Sequence, residues 1–158
     1  MRNHNTSKII SDVHSFLSLL DRKNKTIVFT NGCFDLLHEG HLHLLNEAKK
    51  LGDILMVAVN NDASVKRLKG EERPIETIET RLKKLADLEI VDYAISFSED
   101  TPLQLIEKIQ PDVLVKGGDY PPEHIVGKEF AKQIVVIPLL NGFSTTNKIK
   151  ESKNYKSI

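Results

Sequence analysis

At 158 residues with 40% hydrophobic content, the chain is the size of one domain, residues 1–158, with enough apolar material for a single core. Its 22 basic and 22 acidic residues cancel, which excludes a global positive field toward nucleic acid or an anionic membrane, so phosphate binding must be local. Cys33 is the only cysteine, which excludes an intrachain disulfide and a multi-cysteine metal site, and the polar opening MRNHNTSKII lacks the apolar run of a signal peptide or membrane span; the chain reads as a soluble cytoplasmic protein.

Between residues 7 and 22, Ile9, Ile10, Val13, Phe16, Leu17, Leu19 and Leu20 recur at helical spacing, which predicts an amphipathic leading helix with Ser7 as its cap. TIVFT at 26–30 predicts a strand that ends in the turn-forming pair Asn31-Gly32. Leu42, Leu45 and Ala48 space out a helix over 39–50 that stops at Leu51-Gly52, where glycine supplies the terminus, and DILMVAVN at 53–60 is a buried strand. Strand, helix and strand together have the size of a right-handed parallel crossover. The alternation continues with a helix at 79–88, a strand at 92–97, a helix at 101–109 opened by Pro102, a strand at 112–116 and a fifth apolar run at 133–138. A closing helix is expected over 144–150, followed by a polar tail. This order predicts an α/β fold with a doubly wound, five-stranded parallel sheet, whose ligands bind outside the carboxyl ends of the strands.

The first strand runs into Gly32-Cys33-Phe34-Asp35-Leu36-Leu37-His38-Glu39-Gly40-His41. Helix amides, two imidazoles and a glycine that admits close approach all suit an anion. The plainer reading is a turn followed by histidines on a solvated helix end. A second group, Gly142, Phe143, Ser144, Thr145 and Thr146, offers hydroxyls and amides to phosphate, or else an ordinary helix capped by Ser144. A third, Lys116-Gly117-Gly118-Asp119-Tyr120, exposes backbone at another strand end, either to read a nucleobase or to make a tight turn with both glycines at positive φ. Lys66, Arg67 and Lys69 follow the second strand as either a ligand-facing or a solvated basic loop; Arg81 is a weaker candidate of the same kind. Asp35 is placed to orient the motif or approach magnesium and Asp62 to shape a turn, and both also suit structural caps.

The string G-x-F-D-x-x-H-x-G-H resembles the signature of the cytidylyltransferase-like nucleotidyltransferases, in which both histidines contact nucleotide phosphates, and NGFSTT resembles that family's G-x-S-T-T element. Leu139 departs from the glycerol-phosphate cytidylyltransferase branch, which has arginine there. NNDASVKRLKGEERPI, TPLQLIEKIQPDVLVKGGDY and NGFSTTNKI look like the adenylyltransferase of bacterial ADP-heptose synthesis, over about residues 7–150. The resemblance implies a Rossmann-like fold of the H-x-G-H type and transfer of adenylate from ATP to D-glycero-β-D-manno-heptose 1-phosphate, for lipopolysaccharide core or a related heptose glycan. It implies His38, His41 and Lys66 as catalytic; Gly32, Cys33, Phe34, Gly40, Lys69, Gly118, Asp119 and Gly142 to Thr146 on the nucleotide; and Asp35, Lys66, Arg67 and Arg81 on the sugar phosphate. Mg2+ enters on the triphosphate rather than on protein ligands, a homodimer is expected, and the heptose kinase is a separate protein. The rivals are a glycerol 3-phosphate cytidylyltransferase, an FMN adenylyltransferase, or a catalytically silent nucleotide-binding module.

Overall fold

Short β-branched runs that are apolar on both sides can be covered only by helices on both faces, and such runs make parallel sheets. The computed structural model describes residues 6–118 and 121–138. Its strands are β1 (Ile9–Ile10), β2 (Ile27–Gly32), β3 (Ile54–Asn60), β4 (Tyr93–Phe97), β5 (Val113–Gly117) and β6 (Gln133–Ile137). They form one sheet in the order β1-β4-β3-β2-β5-β6, and every neighbouring pair is parallel. All seven residues of β3 are buried, as expected of a central strand.

The helices are α1 (Val13–Leu19), α2 (Glu39–Lys49), α3 (Asp62–Lys69), α4 (Ile78–Ala86) and α5 (Leu103–Ile109). Leu44, Leu45 and Ala48 of α2 and Leu85 of α4 pack on Val28, Leu55 and Val57 of one sheet face. Leu105, Ile106 and Ile109 of α5, with Phe16 and Leu17 of α1, pack on Phe29, Met56 and Leu114 of the other. The sheet is therefore doubly wound. The chain moves outward from β2 through β3 to β4, then returns through α5 to β5 on the opposite side of β2, so strand order reverses between β2 and β5. A crevice at that reversal is the expected ligand position.

Three expectations are corrected. The sheet has six strands rather than five, because the leading segment is not one helix. A single 3-10 turn (Thr6–Lys8) leads into β1, which pairs with β4 through Ile9 opposite Ala94 and Ile10 opposite Ile95. Helix begins only after Asp12, whose carboxylate accepts from the His14 amide (3.0 Å) and the Ser15 hydroxyl (2.8 Å). Second, the basic segment after β3 is the helix α3, with Asn61 as N-cap. Third, Gly52 is required for close approach rather than as a helix terminus: a Cβ there would lie 2.7 Å from Val28 Cγ2 and 2.8 Å from the Thr26 carbonyl oxygen.

Candidate active site

The loop leaving β2 is tightly wound. Phe34 and Leu36 adopt left-handed backbone, φ 50° and 60°, a conformation that costs side-chain-bearing residues about 1–3 kcal/mol each and persists only where surroundings enforce it. Between them the fully buried Asp35 supplies the enforcement. Its carboxylate accepts from the Ile75 amide (2.7 Å), the Glu76 amide (2.9 Å) and Arg73 Nε (3.0 Å). Glu76 reciprocates by accepting from the Leu36 amide at 3.1 Å and also meets Lys84 Nζ. Asp35 thus has both oxygens engaged by the segment from Arg73 to Glu76, which gives it the task of positioning the loop.

This loop delivers His38 to the start of α2. His38 is the N-cap, with φ −142° and ψ 179°. Its Nδ1 accepts from the Gly40 amide at 3.0 Å, and His41 Nδ1 accepts from the His38 amide at 3.3 Å. The two imidazoles reproduce a reciprocal capping box that serine and glutamate usually make. An accepting Nδ1 puts the proton of a neutral ring on Nε2, so both rings are locked in the tautomer that donates from Nε2. The rings stack with centroids 3.8 Å apart and planes inclined by 22°, and Phe34 packs on His41 at 5.3 Å. The structural reading of these histidines is therefore met by their Nδ1 atoms, which cap the helix, while Nε2 is the protonated nitrogen of each neutral ring.

Among the described residues Arg81 is the largest fully buried side chain. It donates from Nε to the Glu76 carbonyl (3.0 Å), from Nη1 to the carbonyls of Cys33 (2.8 Å) and Asn60 (2.7 Å), and from Nη2 to Asp62 (2.7 Å). These bonds join the ends of β2 and β3 to α3 and to the loop under Asp35. Its role is to position those carbonyls rather than to touch a substrate.

Above the strand-order reversal lies a cleft of about 390 Å3 whose lining includes Asn31, Cys33, Asn60, Lys69 and Lys116. Burial pushes the Cys33 thiol above its ordinary pKa, against the opposing pull of Lys69, Arg81 and Arg73. Its Sγ lies 3.8 Å from Asn60 Oδ1. Burial holds the Lys116 ammonium below the usual lysine range. Gly32 also lines the cleft, and a Cβ on it would meet the Phe34 ring at 3.1 Å. Of the basic residues on α3, Lys69 reaches the cleft; Lys66 is exposed and does not line it, and Arg67 pairs with Asp100 (2.9 Å) and the Ser98 carbonyl. Gly118 is at positive φ (114°) and donates to the Ile137 carbonyl at 3.0 Å, whereas Gly117 belongs to β5. Asp119, Tyr120, Leu139, Gly142, Phe143, Ser144, Thr145 and Thr146 lie outside the described residues.

Reading from sequence did not single out Arg73 and Glu76, although both lie in the segment GEERPIE. Arg73 keeps 11% of its side-chain exposure, and its Nη2 is buried without a hydrogen-bond partner among the described residues. Such a donor calls for a ligand oxygen or water. No periodicity marks these residues; a mixed charge cluster shortly before a helix is the only trace they leave. Asn60 and Lys116 were recoverable from the strand-end rule that points to Gly32. Among the described residues no three His, Cys, Asp or Glu side chains are grouped to hold a metal ion, and none of the helices is long and apolar enough to cross a membrane.

Residues 29–156 match the model of the cytidylyltransferase-like family. The chain is 57% identical over 150 residues to the bifunctional protein HldE of Helicobacter hepaticus, an alignment covering 95% of this chain and 31% of that protein. The corresponding protein of Campylobacter fetus is 52% identical over 134 residues, 85% of this chain and 29% of its own length. The chain therefore spans about a third of these relatives. Among solved structures, the lipopolysaccharide core biosynthesis protein of Thermoplasma volcanium superposes with TM-score 0.64 at 31% identity, over 74% of this chain and 99% of that one. A pantoate-beta-alanine ligase from Francisella tularensis, at 18% identity, 90% and 77% coverage and TM-score 0.63, shares the fold. The paired imidazoles at the start of α2, the cleft at the strand-order reversal and these matches lead to one conclusion: the chain belongs to the cytidylyltransferase-like family and is a nucleotidyltransferase.

Proposed function

We propose that the chain transfers adenylate from ATP to D-glycero-β-D-manno-heptose 1-phosphate, giving ADP-heptose and pyrophosphate. The observation that carries the transfer chemistry is the imidazole capping box, which fixes two Nε2–H donors at a helix start where backbone amides also favour anions. The choice of base and sugar is supported by the likeness to the bifunctional HldE proteins and to the lipopolysaccharide core biosynthesis protein of Thermoplasma volcanium.

An oxygen of the sugar phosphate attacks the α-phosphorus of ATP; the bond from that phosphorus to the bridging oxygen of the β-phosphate breaks, and pyrophosphate leaves with the bond electrons. The attacking phosphate is already ionised near neutral pH, so alignment and charge stabilisation replace a general base. His38 and His41 donate to the α- and β-phosphate oxygens as charge grows. The buried Nη2 of Arg73 supplies a further donor. Ser144, Thr145 and Thr146 hold the outer phosphates. Mg2+ would enter with the triphosphate rather than on protein ligands and would supply charge neutralisation for the leaving pyrophosphate. The protein works as a cytoplasmic homodimer on a 1-phosphate made by a sugar kinase.

Pyrophosphate release measured with each nucleoside triphosphate against a panel of phosphate acceptors tests the reading. Release is expected with ATP and the heptose 1-phosphate. Release confined to CTP with glycerol 3-phosphate, or to ATP with FMN, would overturn it, and no release with any pair would mean a silent nucleotide-binding module.

A further inference from the structure

We infer that Asp100, held in place by Arg67, selects a hydroxyl-bearing acceptor: its second carboxylate oxygen accepts hydrogen bonds from hydroxyl groups on the body of the substrate, away from every phosphate. The inference rests on the nucleotidyltransfer reading and names what distinguishes the second substrate within it. Asp100 follows the carboxyl end of β4 and lines the cleft above the strand-order reversal. Arg67 Nε donates to its Oδ1 at 2.9 Å, and Nη2 of the same guanidinium donates to the Ser98 carbonyl, so the carboxylate is anchored by one oxygen. Its Oδ2 accepts from no group among the described residues, and the side chain keeps 63% of its exposure. Asp35, at the same end of the sheet, is the opposite case, with both oxygens used by the fold. An exposed ion pair adds little to stability, so tying α3 to the β4–α5 connection is a weak reason for a carboxylate in a cleft that serves phosphate substrates.

The chemistry of that oxygen narrows its ligand. A phosphate is repelled by it, and a metal cation is opposed by the guanidinium already at Oδ1. Adenine carries a ring acceptor beside its amine and is read by groups that both donate and accept, whereas a carboxylate only accepts. A hydroxyl group suits it: the donor is neutral, and the bond to an ionised oxygen is charge-assisted. Leu68 and Val126 line the same cleft yet stay 50% and 41% exposed. Apolar side chains beside a fixed polar group match a sugar, whose C–H surface and hydroxyl groups lie side by side.

The nucleotide phosphates have their donors elsewhere. Phe34, which packs on His41, belongs to the core layer under α2 and α4, while Leu114 and Ile125 of the cleft belong to the layer on the opposite sheet face.

The test is steady-state pyrophosphate release by the full chain with heptose 1-phosphate and its mono-deoxy analogues, beside calorimetric titration with α,β-methylene-ATP. Asp100→Asn is expected to raise KM for the parent sugar phosphate about tenfold while kcat stays within about twofold, the pattern of lost substrate binding. The Kd for α,β-methylene-ATP should stay within about twofold of wild type. The analogue lacking the hydroxyl that Asp100 holds should react equally well with wild type and variant. Arg67→Gln, which releases the anchor, should raise KM for the parent by a smaller factor. Unchanged KM in Asp100→Asn overturns the inference, as does an equal rise for every analogue, which would leave Asp100 a structural tie, or weaker binding of α,β-methylene-ATP, which would give the carboxylate to the base. Wild-type turnover of glycerol 3-phosphate or FMN but of no sugar 1-phosphate would sink the heptose reading alone; both acceptors carry hydroxyl groups, and the same comparison with their deoxy analogues then decides the role of Asp100. No turnover of any acceptor by wild type would sink both.

Discussion

At the amino end of the sheet aspartates cap strands by accepting backbone amides, two of them beside cations as well (Asp92 with Lys49, Asp112 with Arg22 and Lys132), whereas at the carboxyl end carboxylates anchor loops and helices through arginine and lysine next to the candidate site. Asp53, Asp92 and Asp112 each precede a strand by one residue, and their carboxylates accept from the amides of Thr26 (2.8 Å), Leu55 (2.8 Å) and Ile27 (2.7 Å). One device, used three times, closes the start of β2 and β3 against neighbouring connections. At the other end Asp35 meets Arg73, Asp62 meets Arg81, Asp100 meets Arg67 and Glu76 meets Lys84. A bare carboxylate there would repel a triphosphate; pairing removes that penalty while keeping the oxygens as anchors for loops. The division teaches that acidic residues in this fold are read by which end of a strand they occupy.

The most severe test of that division is Arg81→Met. Arg81 stands at the carboxyl end but serves the fold, so its loss should cost on the order of 3–5 kcal/mol of stability by leaving three carbonyls and Asp62 without their donor. Urea unfolding measures it. A variant that kept wild-type stability but lost affinity for the sugar phosphate would return Arg81 to the substrate site.

His41→Ala should show the opposite pattern. Loss of one preorganised donor is expected to lower kcat by about 10²–10³, equivalent to about 2.7–4 kcal/mol in the barrier. Losing the cap costs stability as well, but only about 0.5–2 kcal/mol. Steady-state kinetics beside urea unfolding separates the two effects, and near-normal turnover would remove the histidine clamp from the mechanism.

The contrast between these residues also shows what was legible in the sequence. Five strands announce themselves as apolar β-branched runs, but the turn into α2 does not sit at Asn31-Gly32 as expected: both residues belong to β2, paired with Ala58 and Val59, and the chain turns only after Cys33. The two-residue strand β1 has no period to read, and the apolar spacing of the leading segment favours helix; only the Asp12 cap and pairing with β4 decide otherwise. His38 and His41 stand out as a local pattern. Arg73, Glu76 and the buried role of Arg81 do not, because their partners Asp35, Leu36 and Cys33 are 38 to 48 residues away in sequence. Local spacing carries no information about such long-range hydrogen bonds. By sequence Arg81 is a candidate only as a basic residue of the same kind as those after the second strand; the carbonyls and Asp62 around it account for its full burial, which is unusual for arginine.

At the amino end, Asp112→Asn should cost about 1–3 kcal/mol at neutral pH and leave kcat within about twofold. Burial alone would push the Asp112 carboxyl up, but the Ile27 amide, Lys132 and Arg22 outweigh it and hold the group below the usual carboxylate range. A folded pKa below the unfolded one means the stabilisation is present above the unfolded value and is lost as pH falls through the folded one. The stability gap between wild type and Asp112→Asn should therefore narrow below about pH 4. A gap independent of pH would show that the asparagine disturbs packing rather than charge.

The smallest effect is expected at Lys66. Its side chain is exposed on α3 and does not line the cleft, although the family resemblance made it a candidate catalytic residue. An exposed ammonium acts on an approaching dianion through solvent, an attraction that falls away over a Debye length of about 8 Å at physiological salt. Lys66→Ala should accordingly lower kcat/KM for the sugar phosphate by no more than about threefold, and raising the ionic strength should erase the difference. Alanine is at least as good a helix former as lysine, so α3 itself should persist. Lys69, which lines the cleft, is the internal control and should lose more under identical conditions. If Lys66→Ala instead cost tenfold or more at every salt concentration, α3 would have to swing its outer face onto the bound substrate, and the carboxyl end of the sheet would be a closing site rather than a preformed one.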